Sequence, residues 1–161
     1  MVYLRERNPV TDDPKLVGIG IDNFDVPAEK IQRIIKQAYE VLVVCDKHHH
    51  VVGFLSYRLR VNHMILVDYV MLRHDIQGSG IARSLLPAFE KHIRSNGITA
   101  IYGLVDKENE QIESLKRLGF VVKGTLLTNY IIEKKLQDYK PEVSLKSNYV
   151  KRLAAPSRLK Y

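Results

Sequence analysis

The densest chemical signal in this 161-residue chain is a bare turn, Gln77, Gly78, Ser79, Gly80, Ile81 and Ala82, set between an apolar run and a stretch with helical spacing. A strand that feeds a glycine turn and then a helix aims several unpaired N–H groups and the positive end of the helix dipole at one point, which suits an anion. Glycine lets a phosphate touch the backbone where a side chain would hold it off. Two phosphate-binding patterns do not fit. A Walker loop requires Gly-Lys followed by Ser or Thr, and this turn has no lysine; a dinucleotide fingerprint requires a third glycine where Arg83 stands and an acid on a second parallel strand.

Asp68 is the second chemical feature, the one side chain charged at neutral pH inside the run Met64 to Leu72 ("MILVDYVML"). Alternation along a strand puts it on the face of Val70 and Leu72. Such a carboxylate either serves as a base or pairs with a basic side chain on the adjacent strand, Arg58 or Arg60. Cys45 ends the run "VLVVC" and reads as buried core rather than as a nucleophile. His48, His49 and His50 alternate direction if extended and cannot all face one ion, so they read as a solvated hairpin turn, and no metal site is expected.

The elements that position these residues follow from periodicity. Val41 to Asp46 and Val51 to Arg60 read as a hairpin joined by "KHHH". Met64 to Leu72 is apolar nearly throughout, the pattern of a strand buried on both faces. Tyr3 to Arg7 reads as a short first strand, and Pro27 to Tyr39 as a helix with Ile31, Ile34, Ile35 and Ala38 on one side. The segment between them reads as a polar loop whose Asp12, Asp13, Asp22 and Asp25 could draw a cationic amine. After the turn, Ile81, Leu85, Phe89 and Ile93 form one helical stripe that "SNG" stops, with a kink or early end expected at Pro87. "ITAIYGLV" is a further strand, then a helix bearing Ile112, Leu115 and Leu118, then a last hairpin from "FVVKG" and "LLTNYIIE".

Composition sets the frame. The length fits one globular domain, and 45% hydrophobic with 27% charged residues is ordinary for a folded protein. No apolar run approaches the ~20 residues that span a bilayer, and no signal-peptide region opens the chain, so no membrane partner and a cytoplasmic location are expected. The net charge of +7 favours anionic partners. Residues 136–161 hold six basic and two acidic residues, more than half of that excess, and read as a basic extension beyond a domain of residues 1–135.

In this setting the turn resembles the acetyl-CoA signature of the GNAT acyltransferase superfamily: Gln or Arg, two variable residues, Gly, one variable residue, then Gly or Ala. The strand before it, the helix after it, "ITAIYGLV" and "NEQIESLKRLGF" (Asn109 to Phe120) resemble that family's consecutive elements, over about Tyr3 to Lys135. The resemblance implies an α/β fold, a single mixed and mostly antiparallel sheet of six to seven strands with about four helices on both faces. It implies transfer of an acetyl group from acetyl-CoA, or a related acyl-CoA, to a primary amine of a small molecule or protein by direct attack.

By the same resemblance, the turn opened by Gln77 cradles the pyrophosphate through the N–H groups of Gly78, Ser79, Gly80, Ile81, Ala82 and Arg83, with Arg83 adding charge. Val70, Met71 and Leu72 pair their main chain with the pantetheine arm while the flanking strands splay, and the Leu72 amide polarises the thioester. Asn109 matches an asparagine that contacts that arm. Asp68 is the candidate base, because an alkylammonium of pKa near ~10.4 must lose its proton before it attacks. Lys116 stands where the family often has a tyrosine that acts as the acid; as a lysine it could bind a CoA phosphate or stabilise the thiolate, and either Tyr69, Tyr57 or Tyr130 substitutes as acid or the thiolate leaves unaided. A reading from a different class is a nucleic-acid-binding protein on a GNAT-like scaffold, its basic tail interleaved with Tyr149 and Tyr161. A monomer and a homodimer both fit.

Overall fold

The structure, a computed structural model, describes residues 1–77 and 80–136. Its elements are β1 (Val2–Glu6), α1 (Pro9–Phe24), α2 (Ala28–Gln37), β2 (Glu40–Asp46), β3 (Val51–Arg60), β4 (Met64–Leu72), a 3-10 turn (His74–Ile76), α3 (Ile81–Arg94), β5 (Ala100–Asp106), α4 (Ile112–Arg117), β6 (Val121–Leu126) and β7 (Asn129–Lys135). The strands form one sheet in the order β1-β2-β3-β4-β5-β7-β6. Every pairing is antiparallel except β4 with β5. This is the mixed sheet with four helices that the sequence implied.

Two apolar layers clothe the sheet, and strand parity sorts the side chains between them. On β2, Val41, Val43 and Cys45 join Leu16 of α1 and Ile31, Ile34 and Ile35 of α2. Leu42 points the other way, with Tyr57, Ile65, Ile101 and the Phe89 and Ile93 of α3. Both β2 faces are therefore buried, which is why its sequence is apolar throughout. β4 departs from that expectation: Val70 is 50% exposed while Met71 and Leu72 next to it are buried.

Two corrections concern helices. The segment expected to be a polar loop is mostly α1, capped by the Asn8 side chain accepting from the Val10 N–H at 3.1 Å, with proline favoured in its first turn. Pro14 and two glycines dilute its apolar spacing. α3 neither stops early at Pro87 nor loses its stripe; it runs on to Arg94. Pro87 is exposed, so the Arg83 carbonyl that it cannot serve lies toward solvent, where the loss costs least.

Two buried carboxylates, Asp12 and Glu40, are paired. Asp12, 1% exposed, receives both forks of Arg5 at 2.7 and 2.8 Å and the Asn8 N–H at 2.7 Å. Glu40 accepts from the Tyr57 hydroxyl at 2.6 Å and meets His92 Nε2 of α3 at 2.7 Å. Among the described residues, no helix is long and apolar enough to cross a membrane.

The Arg5 guanidinium holds the Asp12 carboxyl below the usual carboxylate range. A depressed carboxylate stabilises the fold above its unfolded pKa, near ~3.9, and that stability is lost as pH falls toward the folded value. Asp12→Asn should therefore cost about 2 kcal/mol at pH 7 in urea denaturation, and the difference from wild type should shrink as pH falls below the ordinary carboxylate range toward the lowered folded value.

Candidate active site

The parallel pairing of β4 with β5 runs from Met64↔Ala100 to Val67↔Gly103 and ends there, although both strands continue. The cause lies in the neighbours. On its other side β4 pairs with β3, and the register slips from Tyr57↔Val67 to Ser56↔Tyr69, leaving Asp68 as the extra residue of a bulge. A bulge bends its strand and increases local twist. β5 stays with β7 through Leu104↔Ile131, Val105↔Tyr130 and Asp106↔Asn129. Each strand follows its outer partner, and a gap opens above Val67 and Gly103.

Main-chain direction within that gap follows from one hydrogen bond. Arg73 N–H donates to the Val52 carbonyl of β3 at 2.8 Å. Because backbone groups alternate sides along a strand, Met71 also faces β3, and Val70 and Leu72 turn their amides toward the gap. The Leu72 carbonyl accepts from Gln77 Nε2 at 2.6 Å, which ties the turn to the strand end. Met71, placed beside them by sequence, instead sends its side chain into the α1–α2 layer.

Close packing keeps the upper half of β4 in place. A Cβ on Gly53 of β3 would lie 2.5 Å from the Met71 carbonyl oxygen and 2.7 Å from a Leu72 methyl, so no larger residue fits without moving backbone. Beyond Leu72 the chain is pinned twice: Arg73 forks onto Asp75 at 2.6 and 2.7 Å, holding that carboxyl below its usual range, and the His74 N–H donates to Asn23 of α1 at 3.0 Å.

Gly80 precedes α3 at φ 73°, left-handed backbone that favours glycine. Among the described residues no side chain caps this end, and the first turn of α3 carries no acid. The N–H groups of Ile81, Ala82 and Arg83 thus have no intrahelical acceptor, and the Arg83 side chain is exposed beside them. Gly78 and Ser79 lie outside the described residues, as do residues 137–161, which contain nearly all of the basic tail.

The other sequence-predicted groups divide. Asp68 receives Arg58 Nε at 2.6 Å and Nη2 at 2.8 Å, the ion pair that was the alternative to a base, and the bulge means that parity with Val70 cannot be counted through it. Ser56, facing Tyr69 across the slip, is buried with a hydroxyl that meets no partner among the described residues. Such a group is rare in a native core and marks a place where polarity is kept for a reason. Asn109 and Lys116 share the lining of a cavity of about 500 Å³ at the start of α4. Asn109 accepts from the Gln111 N–H at 2.7 Å, and Lys116 meets Glu113 at 3.3 Å. Sequence reasoning gave no role to Lys107, which lines the same cavity; its place beside Tyr130 depends on strand register, which no local pattern encodes.

Cys45 is buried, and among the described residues no cluster of His, Cys, Asp or Glu could hold a metal. The histidine hairpin is exposed; the Tyr3 hydroxyl meets His49 Nδ1 at 2.6 Å.

A family model described as Acetyltransferase (GNAT) family matches residues 11–120. Among curated proteins, none matches the sequence. Solved structures share the fold. The PaiA N-acetyltransferase from Thermoplasma acidophilum, in complex with coenzyme A, is 17% identical with a TM-score of 0.66 over 84% of this chain and 99% of that one. Ard1 from Thermoplasma volcanium is 18% identical with a TM-score of 0.70 over 85% and 99%. The ribosomal-protein-S18-alanine N-acetyltransferase from Escherichia coli is 15% identical with a TM-score of 0.68 over 89% and 99%.

Gly53→Ala should cost about 1–3 kcal/mol by overpacking β3 against β4, read as a lower urea midpoint at unchanged slope. A midpoint equal to wild type would mean that this half of β4 is free to move.

Proposed function

The chain belongs to the GNAT family of acetyltransferases, and from that premise we propose that it transfers an acetyl group from acetyl-CoA to a primary amine by direct attack. The observation that carries this reading is the gap between β4 and β5, lined by strand amides and set ahead of an uncapped helix end. A linear ligand with amide groups and a diphosphate matches both parts: the amides continue a ladder that β5 leaves unpaired, and the helix end suits the anion.

Acetyl-CoA supplies an acyl group already activated as a thioester. The amides from Gly78 through Arg83 hold its diphosphate, and Arg83 adds positive charge. Gln77, bonded to the Leu72 carbonyl, fixes the turn relative to the strand. Val70 and Leu72 align the pantetheine arm, with Met71 packed behind them, and the Leu72 amide donates to the oxygen on which negative charge develops. Asn109 and Lys116 bound the arm from the side of α4.

Asp68 lies where the gap begins and draws the acceptor's ammonium. Its oxygens keep further lone pairs beyond the two that Arg58 engages, so it can take the amine proton and pass it to water.

Two measurements test this reading. Coenzyme A at 100 times its dissociation constant should stabilise the protein by about 2.7 kcal/mol. Gly80→Val should fold, because its Cβ meets nothing within 4 Å, yet lose that stabilisation, because φ 73° is closed to a β-branched residue. Asp68→Asn should lower acyl transfer by about 100-fold while coenzyme A still stabilises it. The acceptors for this assay, with labelled acetyl-CoA, are a peptide with a free N-terminus, a peptide with one lysine, and a polyamine. Normal turnover of the Asn variant would remove Asp68 from the mechanism.

A further inference from the structure

This inference rests on the acyl-transfer reading and concerns the group that meets the departing sulfur. Three tyrosines are candidates by sequence, and their surroundings separate them. Tyr57 is 1% exposed and its hydroxyl donates to Glu40, in the core beneath α3. Tyr69 packs against the α1–α2 layer. Tyr130 is half-buried on β7 opposite Val105, a residue of β5 beyond the point where β4 has parted from it. It lines the 500 Å³ cavity with Asn109 and Lys116, and it is the one lining side chain with a hydroxyl.

The cavity therefore brings together, from β7, α4 and the turn that precedes α4, the asparagine assigned to the pantetheine arm, the lysine in the usual tyrosine position, and a phenol. Lys107 Nζ stands 5.9 Å from the Tyr130 ring centroid, within cation–π range. That ammonium steadies the ring within the cavity. Lys116 is exposed and paired with Glu113, which leaves it the less committed to the cavity.

We infer that Tyr130 is the catalytic acid of this chain, supplied by β7 instead of α4. As the amine nitrogen forms its bond to the acyl carbon, the C–S bond breaks and its electron pair stays on sulfur. Tyr130 Oη gives that sulfur a proton, and the phenolate regains one from water. The amine proton leaves separately through Asp68.

Binding of coenzyme A and of desulfo-coenzyme A, measured by calorimetry at pH 6.5 and 9.5, tests this without turnover. A phenol that donates to the sulfur stabilises bound thiolate, so at pH 9.5 wild type should bind coenzyme A about tenfold tighter than the desulfo compound. Tyr130→Phe should bind the two alike. Coenzyme A release from acetyl-CoA, with the amine panel and with water as the floor, should fall about tenfold in Tyr130→Phe, a modest loss because thiols of pKa near ~8.5 leave readily. Adding Lys116→Tyr to that variant should restore it. An unchanged coenzyme A preference in Tyr130→Phe, or its loss in Lys116→Met instead, overturns the inference while leaving acyl transfer intact. Failure of wild type to bind either compound overturns both.

Discussion

A sheet ordinarily pairs every interior strand along its length, and the parting of β4 from β5 above Val67 and Gly103 is the constraint on which the rest of this molecule depends. β3 and the bulge at Asp68 draw β4 one way, while β7 holds β5 from Ala100 to Asp106. Strand edges left unpaired present N–H and C=O groups that must find partners. Here they face a gap between two well-packed half-sheets. Binding there needs no new fold, only a ligand that completes the ladder.

The electrostatics of the acceptor side become narrower once contacts are counted. Four aspartates before β2 could have drawn a cation. Asp12 is buried under Arg5, and Asp13 meets Arg7 at 3.0 Å, so both are neutralised by the first strand and its exit. Asp22 and Asp25 remain exposed at the end of α1, the corner tied through Asn23 to the strand end at His74. Of the four, the pair at the end of α1 alone keeps the exposure that a cationic ligand would need.

Much of this was legible in the sequence, because period-2 runs and a helical stripe survive without context. β3 and β4 match their expected bounds, and the stripe Ile81, Leu85, Phe89 and Ile93 is α3. α1 was hidden because Pro14, Gly18 and Gly20 lower helix propensity, while capping by Asn8 and packing of Leu16 and Ile19 override it. The bulge at Asp68 was illegible for a different reason: a register slip is a property of two strands, and only the pairing with β3 reveals it. The same holds for Tyr130 on β7 and Asn109 between β5 and α4, which line one cavity only through the order β5-β7.

Amide hydrogen exchange with and without coenzyme A tests the central claim most directly. The account predicts that the ligand slows exchange at Val70, Leu72 and Ile81 to Arg83, and leaves Met71, already bonded toward β3, as it was. Slowing confined to another surface, or equal slowing along all of β4, would contradict it.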